Sequence, residues 1–250
     1  MSKKVAHSKE VIVQARGVYK DFQIGDGTVE ILHNVDATVT RGEFIILFGP
    51  SGCGKSTLLN VLLGLEPPTK GTVSFLGRDL YTFGEDERSQ IRKEGVGLVY
   101  QQQNWIRALN VLENVAFPLA LRGYGEEERN TVAMEMLKSV GMEESADQVP
   151  TELSSGQQQK VSFVRALISE PVLLVADEPT GNLDSKSSLS LMDMFRDYND
   201  KGNTIIMVTH ALLFLPYATR SLNMSDGIII KEYPRGDPGL DDFKITYKKQ

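Results

Sequence analysis

The sequence predicts an α/β fold: a mostly parallel β-sheet flanked by helices, with a peripheral antiparallel β-subdomain and an inserted helical subdomain. Three observations predict it. The runs Phe44–Phe48, Val172–Ala176 and Thr204–Thr209 are apolar on both faces, as strands of a helix-covered parallel sheet are. Asn34–Val39 alternates instead, with Val35, Ala37 and Val39 on one face and Asn34, Asp36 and Thr38 on the other, the pattern of a half-buried antiparallel strand. From Arg88 to Gln157 helical spacing takes over, as in Val132, Met136 and Val140, with breaks at Gly123, Gly125, Gly141 and Pro150.

Along the chain, residues 1–9 are polar and are expected to form a loose terminus. Val11–Gly17 reads as a strand, and Gly25-Asp26-Gly27 is a turn signal. Phe44–Phe48 runs into a glycine-rich loop and then into Leu58–Leu63, which reads as strand, loop, helix. Thr72–Leu76 resembles the alternating strand. Ile228-Ile229-Ile230 is read as the second strand of a hairpin turning at Asp226-Gly227. The tail 233–250 is rich in proline, glycine and charge, and the sequence assigns it no structure.

The 250 residues suffice for one large domain or two small ones. A net charge of −6 argues against a generic nucleic-acid binder, so no nucleic-acid partner is expected. Cys53 is the sole cysteine, which forbids an internal disulfide and fits a reducing compartment. The N-terminal charge has no apolar stretch behind it, so no signal peptide is expected. No apolar run approaches the roughly 18 residues of a membrane span, so any membrane association requires a partner.

The central motif is Gly49-Pro50-Ser51-Gly52-Cys53-Gly54-Lys55-Ser56-Thr57, which fits G-x-x-x-x-G-K-[ST]. Glycines let backbone amides wrap an anion, and the following helix presents unpaired N–H groups and its positive dipole end. Lys55 can reach β- and γ-phosphates, and Ser56 offers a hydroxyl to Mg²⁺. Strand plus motif plus helix define a P-loop NTPase core that binds nucleotide. Asp177-Glu178 and His210 follow two other core strands, so three strands deliver polar groups to one sheet edge. There Asp177 can hold Mg²⁺ through water and Glu178 can polarise an attacking water, while His210 can hold the γ-phosphate or the structure around it. Alone, the acidic pair would read as a solvated loop and His210 as a core or capping residue. Cys53 reads as a small spacer, since a nucleophile needs a base within reach. Ser154 and Gly156, before a helix starting near Gln157, make a second anion site. One nucleotide cannot easily use both sites of one chain.

Taken together, these motifs resemble the ATP-binding subunits of ABC transporters over roughly residues 10–232, with the helical subdomain inserted at about 88–157. The resemblance makes Gly49–Thr57 the Walker A loop, Leu153-Ser154-Ser155-Gly156-Gln157 the signature motif, and Val172–Glu178 Walker B with its catalytic glutamate. It makes Asn182-Leu183-Asp184 the D-loop, His210 the switch histidine, and Gln101 the Q-loop residue that senses the γ-phosphate and reaches Mg²⁺. Tyr19 stands where the family stacks an aromatic ring on adenine. ATP and Mg²⁺ are the implied ligands, with Lys55, Gln101, Glu178 and His210 as catalytic residues and Ser56, Gln101 and Asp177 around the metal.

Within the family, the chain is most similar to the lipoprotein-release, macrolide-export and cell-division ATPases. Val99-Tyr100-Gln101-Gln102-Gln103-Asn104, Leu112–Leu119, Ser154–Val161 and Ala176–Asp184 carry that similarity. It implies a head-to-tail homodimer with two ATP molecules between the copies. It also implies a separate transmembrane permease, of the type with few spans and a large extracytoplasmic domain, contacted through Gln101–Leu121. The cassette would lie on the cytoplasmic face of the inner or plasma membrane and drive export or extraction of a lipoprotein, peptide or hydrophobic compound. The alternative is an ABC ATPase that transports nothing, serving cell-division signalling, DNA repair or the ribosome. Three residues depart from the family pattern: Ser155 for a glycine, Lys160 for an arginine, and Ala211 for an acidic residue. A serine at position 155 would be strained if that position needed positive φ. Trp105 reads either as packing or as part of a partner surface.

Overall fold

The structure, a computed structural model, describes residues 10–25, 27–240 and 243. The expectations for residues 1–9, for Asp26 and for most of the last ten residues lie outside them. In chain order the elements are β1 (Val11–Ile24), β2 (Gly27–Thr40), β3 (Phe44–Phe48), α1 (Lys55–Leu62), β4 (Lys70–Phe75), β5 (Arg78–Asp79), α2 (Glu85–Gly95) and β6 (Val96–Tyr100). There follow α3 (Val111–Leu121), α4 (Glu126–Ser139), α5 (Ser155–Leu167), β7 (Leu173–Asp177), α6 (Ser185–Asp200), β8 (Thr204–Val208), β9 (Arg220–Ser225) and β10 (Ile228–Pro234).

Two sheets organise them. The larger has the order β10-β9-β3-β8-β7-β6, parallel except for the β9–β10 hairpin. The smaller is antiparallel, in the order β2-β1-β4-β5. Side chains alternate across a strand, and in β3 this divides the core. Phe44, Ile46 and Phe48 face the helical side with residues of α3, α5 and α6, whereas Ile45 and Leu47 face α1 and the smaller sheet. The central strands are therefore apolar throughout because both faces are covered. On the helical side, Phe195 of α6 is fully buried, with its ring edge-on to Phe163 at 5.0 Å and 6.3 Å from Phe44.

The structure departs from the sequence expectations in three places. The first hairpin is much longer than Val11–Gly17 and Asn34–Val39. Register shifts between Ala15 and Val18 and between Val18 and Lys20 break the period-two pattern, which hides the continuation of β1. Within the stretch 88–157, read as helical, Val96–Tyr100 is a core strand paired with β7. Gly97 obscures it, since glycine weakens a strand signal. Its reason is tertiary: a Cβ there would lie 2.2 Å from Ala166 O, so only glycine lets α5 pack onto β6. The third departure is the tail, to which the sequence assigns no structure. Tyr233 and Leu240 are buried, and Phe243 stacks edge-on against Phe48 at 5.1 Å and Tyr233 at 5.8 Å.

Truncating Phe195 to alanine removes the centre of the helical-side core. Urea unfolding of Phe195→Ala should show a loss of about 3–5 kcal/mol, with the m-value unchanged.

Candidate active site

The parallel strands β3, β6, β7 and β8 all end on one edge of the sheet. Cα register pairs Tyr100 with Asp177, Asp177 with Val208, and Val208 with Leu47. The residues that follow, the Gly49 loop, Gln101, Glu178 and His210, are thereby brought together, as parallel topology requires.

The glycine loop folds over Lys55, whose ammonium donates to Gly49 O at 2.9 Å and Pro50 O at 2.8 Å. Lys55 is buried, while Ser51, Gly52 and Ser56 are exposed. Gly54 caps α1, and Cys53 lies buried beneath the loop. The loop is held from behind by the β9–β10 turn, where Gly227 N donates to Cys53 O at 3.1 Å and Gly227 O accepts from His33 N at 2.9 Å. Gly227 has φ +76, and a Cβ there would meet Ile31 O at 2.3 Å. The turn expected at Asp226-Gly227 is thus also the rear wall of the phosphate loop, a role the sequence did not suggest.

Beside the loop, a cleft of about 310 Å³ is lined by Ser56, Tyr100, Gln101, Gln102, Asn104, Asp177 and Glu178. Asp177 Oδ1 is buried with no hydrogen-bond partner. Burial pushes its carboxyl above the usual range, the Glu178 charge adds to this, and Lys55 opposes it. A buried carboxylate oxygen without a donor calls for a cation or water. Among the described residues no group of three or more His, Cys, Asp and Glu is placed to hold a metal. A cation here would take one carboxylate, the Ser56 hydroxyl, phosphate oxygens and water, which is the donor set Mg²⁺ prefers. The residues fit the ion.

Glu178 sits in the left-handed region at φ +47, unusual for a non-glycine residue. Its N–H donates to Val208 O at 2.9 Å, and the next turn closes on its carbonyl from Gly181 N at 3.1 Å. This places Glu178 Oε2 2.9 Å from His210 Nδ1 and 3.4 Å from His210 N. Gln101 Nε2 donates to Asn182 Oδ1 at 3.3 Å.

Ser154 caps α5 reciprocally with Gln157: Ser154 N donates to Gln157 Oε1 at 2.9 Å, and Gln157 N donates to Ser154 Oγ at 3.4 Å. Ser155 opens the helix and is not among the described residues with positive φ, so the serine imposes no backbone strain. A second cleft of about 310 Å³ contains Ser154, Gly156, Gln157, Lys160 and Asp184. Asp184 itself caps α6. Ser187 donates to it from Oγ at 2.6 Å and from N at 2.9 Å, and these bonds hold its carboxyl below the usual range. Tyr19 is half-buried on β1 with the Lys70 ammonium 5.5 Å from its ring, and it does not line the Ser56 cleft. Trp105 is engaged within the chain: Arg165 stacks on it at 4.5 Å and Gln158 Oε1 accepts from its Nε1 at 3.0 Å. Burial lowers the Arg165 guanidinium to about 10, which leaves it charged at neutral pH.

Sequence reasoning missed the roles of Gln159 and Asn114, and it gave Asn182 only as part of the D-loop, not as the partner of Gln101. Asn114 is fully buried on α3 and shapes the loop before it, accepting from Ile106 N at 3.0 Å and donating to Leu109 O at 2.9 Å. For Gln159 a signal existed, since it falls on the buried face of α5 with Ser162, Phe163 and Ala166 at helical spacing.

The fold and site define a P-loop ATPase cassette. Residues 32–181 match the sequence profile of the ABC transporter family. An uncharacterized ABC transporter ATP-binding protein, MJ1508, of Methanocaldococcus jannaschii is 41% identical over 220 residues, covering 88% of this chain and 98% of that protein. The macrolide export ATP-binding/permease protein MacB of Chlorobium phaeobacteroides is 41% identical over 221 residues; the match covers 88% of this chain but only 34% of MacB. Among solved structures, the dimeric post-hydrolysis MJ0796 cassette bound to ADP and Pi aligns with a TM-score of 0.83 at 36% identity, covering 89% of this chain and 98% of that one. The chain belongs to the ABC transporter family as an ATP-binding subunit. It binds ATP with Mg²⁺ and hydrolyses it.

Gly227 is distant in sequence from the Gly49–Thr57 motif yet bonded to it. Gly227→Ala should lower the melting temperature and weaken Mg²⁺-ATP binding by about tenfold, as read by calorimetric titration. Unchanged ATP affinity would mean that the turn does not set the loop.

Proposed function

We propose that this cassette works as a head-to-tail pair, the Lys55 loop of one copy facing the Ser154 end of α5 in the other, with two ATP molecules between them. The observation that carries this reading is the separation of two phosphate-ready helix ends on one chain. The Ser56–Asp177 cleft and the Ser154–Asp184 cleft share no lining residue. A second copy supplies the missing half to each. The MJ0796 cassette, a dimer bound to ADP and Pi, supports a paired reading.

Within each composite site, Lys55 and the Gly49–Thr57 amides bind the phosphates, and Ser56, Gln101 and Asp177 would hold Mg²⁺. The ion held there would supply charge neutralisation on the phosphates. Glu178 orients the attacking water and accepts its proton, and His210 holds Glu178 and the γ-phosphate region in place. Phosphoryl transfer needs mainly this positioning and charge neutralisation.

Closing and reopening of the pair would drive a separate transmembrane permease. Among the described residues no helix is long and apolar enough to cross a membrane; in this reading the motion passes to the permease through a surface. Gln101–Leu121 is that surface in this reading, because it joins the γ-phosphate sensor to α3. The similarity to a macrolide export ATP-binding/permease protein supports export; in this reading the cargo is a lipoprotein, peptide or hydrophobic compound and the permease is of the type with few spans and a large extracytoplasmic domain. The cassette would then sit on the cytoplasmic face of the membrane.

Glu178→Gln should lower ATP turnover by about 10²–10⁴-fold, the usual effect of removing a general base. With Mg²⁺-ATP it should sediment as a dimer; a variant that stays monomeric at high concentration, with the permease present, would overturn the paired reading. Arg107 is exposed beside the braced Trp105. Arg107→Ala should therefore reduce permease-stimulated hydrolysis by about tenfold with basal hydrolysis unchanged, and equal stimulation would place the contact elsewhere.

A further inference from the structure

We propose that Gln159 is a positioning residue that locks the two hydrolytic loops to the helix serving the partner's nucleotide. Its side chain is 2% exposed on α5. Both amide hydrogens are used: Nε2 donates to Pro179 O at 2.6 Å and to Tyr100 O at 3.2 Å. Tyr100 is the residue before Gln101, and Pro179 is the residue after Glu178. One carboxamide thus fixes the backbone next to both groups assigned to the γ-phosphate and its water.

The same side chain is a poor choice for stability alone. Gln159 Oε1 is buried without a partner, and leaving a buried acceptor unsatisfied is unfavourable. Methionine or leucine would fill the space without that penalty. What those side chains lack is two hydrogen-bond donors pointing at two different loops.

The rest of α5 reinforces the grip. Arg165 donates to Gln103 O and, at 3.5 Å, to Asn104 O. Gln158 accepts from Trp105 Nε1 and donates to Leu153 O at 2.9 Å, just ahead of the Ser154 cap. The backbone from Tyr100 to Trp105 is therefore carried by the helix whose first turn holds Ser154. A displacement of α5 on engaging a partner's phosphate moves Tyr100 and Pro179 together. The inference rests on the paired reading above, in which Gln101 and Glu178 act on one nucleotide and Ser154 on the partner's.

The test is steady-state ATPase kinetics and nucleotide-dependent dimerisation of the full chain. Gln159→Met keeps the volume and removes both donors. It should lower kcat at least about tenfold with KM within about threefold, the split left by a contact that matters only in the transition state. Gln159→Met/Glu178→Gln should still dimerise with Mg²⁺-ATP, because no nucleotide contact is touched. Val161→Ala, buried on the same helix and without a hydrogen-bonding side chain, is the packing control and should lower the melting temperature with kcat unchanged. If Gln159→Met does not fold, Gln159→Asn carries the test, since it keeps the amide but shortens its reach. Parent-like kcat, or the same kinetics from Val161→Ala at matched melting temperature, would overturn the proposal. Failure of Glu178→Gln alone to dimerise would remove the paired reading instead, independently of Gln159.

Discussion

Parallel pairing of β6, β7, β8 and β3 is the constraint on which the site depends. Parallel strands run the same way, so whatever follows each one emerges on the same edge. The pairings of Tyr100 with Asp177, Asp177 with Val208, and Val208 with Leu47 fix that edge to within a residue. A one-residue slip would turn the strands' side chains to opposite faces and would separate Glu178 from His210. The register is secured by burial: alternate residues of β3 belong to two different cores, so neither face tolerates a shift.

On that edge, charge is held without full compensation. Lys55 satisfies itself on the carbonyls of its own loop, and Asp177 has an oxygen with no donor. Glu178 is held at positive φ by β8 and by the turn that follows it. Such features are unfavourable for the isolated chain and persist because the surrounding sheet over-determines them. They are also what a site needs if phosphate and a divalent cation are to replace the internal contacts.

The helices do more than cover the sheet. α5 approaches β6 closely enough that residue 97 must be glycine, and this proximity lets Gln159, Gln158 and Arg165 reach the loop after β6. From the opposite side, the β9–β10 turn wedges the phosphate loop through Gly227. The glycine loop is thus braced by the β9–β10 turn, and the stretch from Tyr100 to Trp105 by α5.

Much of this was legible in the sequence where the code is local. Strand-loop-helix at Phe44–Leu63, the acidic pair after Val172–Ala176, His210 after its apolar run and the Ser154 cap each lie within a few neighbouring residues, and the periodicity, glycine spacing and capping chemistry that form them act over that range. The tertiary structure alone decided the rest. It made Val96–Tyr100 a strand despite Gly97, turned Trp105 inward onto Arg165, seated Tyr233 and Phe243 on Phe48, and aimed Gln159 at two carbonyls. Most of these depend on atoms brought together from distant parts of the chain, so no local pattern could have announced them.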